Sequence, residues 1–215
     1  MWIIFIFLIS ICYNKLSMKE GHGEFMKELE ERIQKDAYVD LANEVNVDSI
    51  FSQYVDVNLL SKMASEWAAR FSNLRITKIV TIESSGIALA TLLGEKLNVP
   101  VIIVKKTPEF DVDDAYTTRI YSHQYHQSIT AYIHKENLCR DDRVIIIDDF
   151  LSNGWAAEGM IGMIEESGAK VEGMGVAVEK SQKAGGAKIR GRGIQLESLA
   201  VIDGVDEDGK ITFRH

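Results

Sequence analysis

Two adjacent aspartates followed by a short polar loop are the part of this chain best equipped for chemistry. They stand in Val144-Ile145-Ile146-Ile147-Asp148-Asp149-Phe150-Leu151-Ser152-Asn153-Gly154-Trp155-Ala156-Ala157. Asp148 and Asp149 can engage a sugar diol or the hydration shell of a divalent cation, because both present hydroxyl-type partners to carboxylate oxygens. Ser152, Asn153 and Gly154, running into Trp155 and Ala156, offer backbone N–H groups where a helix begins. Such groups, with the positive end of a helix dipole, hold phosphate. A ligand with a phosphate a few bonds from a diol, such as a ribose 5-phosphate, fits that layout. Taken alone, the acidic pair reads equally well as a solvated loop end or a lone magnesium site.

A second small-residue loop lies upstream, in Glu83-Ser84-Ser85-Gly86-Ile87-Ala88. Two small hydroxylated residues and a glycine let N–H groups converge on an anion. By itself this loop reads as an N-cap, with Ser84 or Ser85 starting a helix. Lys105 and Lys106 follow the apolar run Pro100–Val104 and can neutralise an anion at the same edge.

The elements that must position these groups form an α/β series. Val144–Ile147, four β-branched apolar residues in a row, read as a strand buried on both faces, with the aspartates following its end. Lys78–Ile82, Pro100–Val104, Ser128–His134 and Val171–Val178 read as further strands. Gly86–Leu97 and Trp155–Ser167 read as helices. Val57–Phe71 is a helix with Leu59, Leu60, Met63, Trp67 and Phe71 on its core face and Asp56 as N-cap. Met26–Lys35 is a short amphipathic helix, and Asp40–Asp56 an irregular cap with a strand or two. Asp206-Glu207-Asp208-Gly209 is a turn between two short closing strands. Alternating strands and helices predict a mainly parallel sheet with helices on both faces, its ligands beyond the carboxyl ends of the strands.

Composition narrows the class. The chain has 215 residues, 46% of them hydrophobic and only two prolines, which describes a globular protein. A net charge of −8 speaks against a nucleic-acid partner, which calls for a basic face. An anionic substrate must then be captured by local donors against the overall field. Cys12 and Cys139 give neither metal spacing nor a disulfide framework, so a reducing cytoplasm is the expected setting. Met1–Tyr13 is apolar but too short to cross a bilayer and lacks the charge and cleavage site of an export signal. Residues 1–25 are expected to be an extension or a misplaced start, and 26–215 a single domain with no membrane partner.

Apolar strand, two acidic residues, three residues, Asn and Gly in that order resemble the phosphoribosyl-diphosphate signature of the type I phosphoribosyltransferases. The wording Ile-Asp-Asp-Phe-Leu-Ser-Asn-Gly, with Ala156 following, is similar to the bacterial xanthine branch, and so is Thr-Ile-Glu-Ser-Ser-Gly-Ile-Ala upstream. The resemblance spans roughly residues 26–215. It implies the type I phosphoribosyltransferase fold: a mainly parallel twisted sheet flanked by helices, with a small hood from the N-terminal region. It implies a pentosyltransferase that moves the phosphoribosyl group from phosphoribosyl diphosphate to a 6-oxopurine, with xanthine foremost and guanine, hypoxanthine or another base as alternatives. A sensor of phosphoribosyl diphosphate is the alternative of another class, but residues 1–75 lack a basic DNA-binding unit.

The resemblance also distributes roles. Asp148 and Asp149 hold the ribose, with magnesium bound through the substrate. Ser152 to Ala156 take the 5-phosphate, and Ser84, Ser85 and Gly86 the diphosphate, with Lys105 or Lys106 neutralising it. Lys180 meets the purine oxygen, since an ammonium donor suits a carbonyl and disfavours adenine's amine. Val45 and Ser52 fall where the xanthine enzymes carry Leu and Asn as further base contacts. Phe110–Gln127, without a steady period, falls where the family keeps a mobile lid. Its His123 and His126, with His134 beyond, are expected to face solvent rather than a metal. A homodimer is implied as well.

Overall fold

A computed structural model describes residues 27–40, 44–107, 109, 111–122 and 127–215. The expected extension over 1–25 lies outside the described residues, as do His123 and His126 of the expected lid.

Beyond a first helix over 27–36 (α1), the elements are β1 (Tyr38–Val39), β2 (Val45–Asn46), α2 (Asp48–Phe51), α3 (Val57–Arg70), β3 (Lys78–Ile82) and α4 (Gly86–Leu97). They continue with β4 (Val101–Thr107), β5 (Ala115–Ser122), β6 (Gln127–His134), β7 (Arg143–Leu151) and α5 (Trp155–Glu166). The last are β8 (Lys170–Lys180), α6 (Gly185–Gly191), β9 (Gln195–Val205) and β10 (Ile211–Phe213). Eight strands form one sheet in the order β10-β9-β8-β7-β3-β4-β6-β5. Its centre, β9-β8-β7-β3-β4, is parallel throughout, while β10 and the β5–β6 hairpin add antiparallel edges.

The period of two along each central strand divides the core in two. Ile79 of β3 and Ile145 and Ile147 of β7 pack with α1, α3 and α4 on one face. Val80, Val144 and Ile146 pack with α5 and α6 on the other. All four residues of Val144–Ile147 are fully buried, which is why this run reads as unbroken apolar sequence. Asp56 caps α3 as expected, accepting a hydrogen bond from Leu59 N at 3.2 Å.

The N-terminal cap is a two-stranded sheet, β1 against β2, followed by the single turn of α2. Val45, Val47, Ile50 and Phe51 tie it to the α1–α3–α4 side of the core. Beyond β8, α6 is clamped back onto that strand. Glu179 is buried, and Arg190 Nη1 and Nη2 donate to its two oxygens at 2.7 Å each, with Ser198 Oγ donating as well.

Three features differ from the sequence expectation. First, β7 continues through Leu151, pairing Asp148 with Val176 and Leu151 with Glu179, so the aspartates lie inside the strand's end rather than after it. Second, much of the expected lid is regular. Ala115–Ser122 pairs antiparallel with β6 from Ala115↔His134 to Ser122↔Gln127. Its Tyr, Thr and Ile residues suit an edge strand, and its Thr118 methyl packs against α5 at Gly159. Third, β9 is eleven residues long rather than short, because it pairs along β8 as far as Lys180↔Ile202.

Candidate functional site

Strand order brings the two small-residue loops together. β3 has β4 on one side and β7 on the other, so the chain reverses its direction of winding between β3 and β7. A crevice opens at such a switch point beyond the carboxyl ends of the strands. The loop after β3 and the end of β7 face each other across it.

Two cavities of about 190 Å³ each occupy this crevice. Ser152, Asn153, Gly154, Trp155 and Ala156 form the wall of one. Glu83, Ser85, Lys106 and Asp149 line the other. Asp148, Ala156 and Ile120 border both. The two anion cradles therefore open onto the same side of the molecule and share an aspartate.

The first cradle is shaped by backbone. Gly154 sits at the cap position of α5 with φ of 82°, a left-handed conformation that strains other residues. A Cβ there would lie 3.1 Å from Gly185 Cα. That closeness has a purpose: Gly185 N donates to Ser152 O at 2.8 Å, and Lys188 Nζ donates to Asn153 O at 3.1 Å. Lys188 also stands 4.3 Å from the centre of the Trp155 ring, a cation–π contact. It brings a positive charge to the first cradle. Nothing local in the sequence marks Lys188, because its place depends on α6 docking against β8.

The second cradle answers the question of the N-cap. Ser85 holds the cap position of α4, but its side chain makes no capping hydrogen bond, and it faces the cavity. Ser84 is exposed at the tip, and the Glu83–Ser84 peptide is cis. Gly86 is buried in a spot that no side chain can share: a Cβ would lie 2.2 Å from Thr81 Oγ1 and 3.5 Å from Asp148 Oδ1.

Alternation along β4 separates the two lysines. Lys105 is half-exposed and paired with Glu83, which raises its pKa. Lys106 points the other way and lines the cavity beside both aspartates, its backbone N–H held by Glu83 Oε1 at 2.6 Å. The structure thus brings Lys106 into the crevice, while Lys105 braces the loop through Glu83. The period of two was the available signal for this distinction.

Both aspartates are buried, 6% and 8% exposed. Asp149 N donates to Asp148 Oδ1 at 3.0 Å. Burial, and then the charge of Asp149, push the Asp148 carboxyl well up from the ordinary aspartate range, and Lys106 pulls the other way. Two carboxyl groups this close and this dry repel each other when both ionise. A cation or a polyhydroxyl ligand would relieve that repulsion, so the donor set fits a hard divalent ion held through oxygen. Among the described residues no cluster of three or more His, Cys, Asp or Glu forms a self-contained metal site.

A third, smaller cavity of about 120 Å³ lies beside the crevice. Lys180 and Val45 are in its wall, and Lys180 Nζ stands 5.2 Å from the ring centre of Phe150, itself on the wall of the first cradle. Ser52 lies off that wall, in the exposed turn after α2. Glu44 is there too, accepting from Lys180 Nζ and from Lys183 Nζ at 2.6 Å each. Sequence reasoning missed Glu44, Lys183 and Ile120, each of which reaches the site only through long-range packing.

Comparison with known proteins agrees with this geometry. Residues 52–192 match the model of the phosphoribosyl transferase domain. A xanthine phosphoribosyltransferase of Bifidobacterium longum (strain NCC 2705) is 44% identical over 193 residues, covering 88% of this chain and 100% of that protein. Another from Lachnoclostridium phytofermentans is 40% identical over 191 residues, covering 88% and 98%. In structure, the chain resembles the adenine phosphoribosyltransferase of Thermoanaerobacter pseudethanolicus with a TM-score of 0.68 at 20% identity, covering 82% of this chain and 98% of the other. It also resembles the Trypanosoma brucei adenine phosphoribosyl transferase solved with AMP, pyrophosphate and ribose-5-phosphate, with a TM-score of 0.65 at 16% identity over 80% and 78% of the chains.

Proposed function

The chain belongs to the phosphoribosyl transferase family, as a type I enzyme similar to the bacterial xanthine phosphoribosyltransferases, and on that premise we propose that it transfers the phosphoribosyl group from phosphoribosyl diphosphate to xanthine, giving XMP in purine salvage. One observation carries the reading beyond family membership. Two oxyanion cradles border a single buried aspartate, which suits a sugar with phosphate at one end and diphosphate at the other.

In this reading the 5-phosphate rests on the N–H groups of Ser152 to Ala156, with Lys188 alongside. The diphosphate rests on Ser84, Ser85 and Gly86, beneath Lys106. Asp148 and Asp149 hold the ribose hydroxyls and would hold magnesium, which neutralises the diphosphate and makes it a better leaving group. The C1–O bond to diphosphate loosens first and the ribose ring takes up positive charge; a purine nitrogen then forms the C1–N bond, its N–H proton passing to the departing diphosphate. The chain then has little proton transfer to perform. Its work is to fix the two reactants in line, keep water out and set negative charge beside the ring. Lys180, with Val45 packed beside it, orients the base. Ser52 joins this set only if the turn after α2 draws in around the base. In this reading the catalytic unit is residues 26–215, and 1–25 is an extension or a misplaced start.

No helix among the described residues is long and apolar enough to cross a membrane. A cytoplasmic homodimer completes the reading and rests on the family resemblance.

The test is diphosphate release with a panel of xanthine, guanine, hypoxanthine, adenine and pyrimidines. Xanthine is expected to give the highest kcat/KM. A preference for adenine or a pyrimidine would overturn the assignment.

The separation of the two lysines gives a further expectation. Lys106→Gln raises the KM for phosphoribosyl diphosphate about ten-fold or more, since a charge-assisted contact is lost. Lys105→Gln has a smaller effect, acting only through Glu83. Initial-rate kinetics with the sugar substrate varied would separate them, and equal effects would contradict the facing read from β4.

A further inference from the structure

Glu44 closes the acceptor pocket in a way that packing does not require. Its two carboxylate oxygens are engaged separately, Oε2 by Lys180 and Oε1 by Lys183, and the partners lie 136 and 139 positions away in the chain. The lysine side chains are less exposed than the acid's: Lys180 13%, Lys183 34% and Glu44 43%. The two ammonium groups hold the Glu44 carboxyl down to about 2, so it is ionised. Asp203, the other acid on this wall, does not compete for the lysines. It is held by Arg214 and Ser181.

We propose that Glu44 is a resident stand-in for the acceptor base. Its carboxylate keeps Lys180 and Lys183 paired while the pocket is empty, and it swings out when a base presents an oxygen and a negative charge to the same two ammonium groups. Lys183 is then a second specificity residue. The inference rests on the reading of the chain as an oxopurine phosphoribosyltransferase and deepens it.

The chemistry follows from what a carboxylate offers: two oxygen acceptors and one negative charge. A base displaces it without loss only by matching both. Adenine fails at once, because its amine would face ammonium donors. Hypoxanthine and guanine supply the oxygen but arrive neutral, leaving two partly buried cations short of one counter-charge, which is costly. Xanthine, with two carbonyls acidifying its ring N–H groups, loses a proton near neutral pH and supplies both. Glu44 can leave cheaply. It is nearly half exposed, and a carboxylate released to water is well hydrated.

The test is steady-state kinetics at saturating phosphoribosyl diphosphate with xanthine or hypoxanthine as acceptor. Glu44→Gln removes the competitor, and the KM is expected to fall about three- to ten-fold for xanthine and by a similar factor for hypoxanthine, since both must displace the same pairing. Lys183→Gln is expected to raise the KM for xanthine about ten-fold and to narrow the gap between xanthine and hypoxanthine. The opposite signs are the point. If Glu44 were only a tether for the N-terminal cap, its loss would raise the KM for the base, as the loss of Lys183 does. A KM for xanthine that rises or stays unchanged in Glu44→Gln overturns the proposal, as does a Lys183→Gln effect equal for both bases. A wild-type protein that transfers to xanthine, with a KM for xanthine that rises or stays unchanged in Glu44→Gln, would sink the stand-in alone. A wild-type protein active on no oxopurine would sink the parent reading with it.

Discussion

Asp149→Asn is expected to lower phosphoribosyl transfer roughly a hundred-fold or more while the protein remains folded. The carboxylate is buried beside Asp148 in the wall of the second cavity, where in the proposed reaction a fixed negative charge beside a developing cation acts with little screening. The amide is nearly the same size, so packing is kept and only charge is lost. Single-turnover rates and thermal melting, measured on one preparation, separate the two. A rate within a few-fold of wild type would remove the dyad from the reaction.

The partner residue adds a signed pH dependence to the same experiment. Burial raises the Asp148 pKa above the ordinary aspartate value of 3.8, and its unfolded-state value is the ordinary one. Stability from this group is therefore complete below that value and lost as the pH rises through the raised one. The buried charge on Asp148, once formed, works against the fold. Asp148→Asn is accordingly expected to melt above wild type at pH 7, by an amount that shrinks toward pH 4, even though transfer is lost. Melting curves across that range check the sign. A variant that melts below wild type at neutral pH would mean that the dyad supports the fold.

Gly86→Ala is the second substitution with a large expected effect. A methyl group there meets Thr81 Oγ1 at 2.2 Å, with Ile147 O and Asp148 Oδ1 close behind. Thr81 is fully buried and has no room to retreat. Overpacking of this kind costs about 1–3 kcal/mol, or roughly 2–4 °C in Tm per kcal/mol for a chain of this size. The greater effect falls on function. The start of α4 must move away from Thr81 of β3, carrying Ser85 out of line with the aspartates, so the KM for phosphoribosyl diphosphate is expected to rise more than ten-fold. Gly162→Ala serves as the control. It lies within α5 with nothing near its Cβ position, and replacing a helical glycine there is expected to stabilise by about 0.5–1 kcal/mol without changing kinetics.

Where local pattern and packing agreed, the sequence was readable. Val144–Ile147 declares its burial on both faces, and Asp56 declares the start of α3. The two cradles were legible because each is one continuous segment whose chemistry is carried by the backbone of Ser, Asn and Gly. Lys106 was half legible: its presence at the strand end was plain, but the choice between it and Lys105 needed the register of β4. Ala115–Ser122 was missed because an edge strand packed on one helix lacks a strict polar–apolar alternation. Glu44, Lys183 and Lys188 were out of reach altogether. Each acquires its role from a partner more than thirty residues away, and a charged side chain in a polar segment reads the same whether it meets water or a neighbour.

The clamp between Glu179 and Arg190 has a consequence for how the site measures its substrate. Glu179 adjoins Lys180 along β8 and is in register with Leu151 of β7. Arg190 fastens α6 to it, and α6 in turn braces the phosphate-holding turn through Gly185 and Lys188. The proposed grips for the two ends of a nucleotide are thus bolted to one frame, which would work as a ruler. In the proposed reaction such a frame would select a ligand by its length as well as by its chemistry, because neither grip can move without dragging the other.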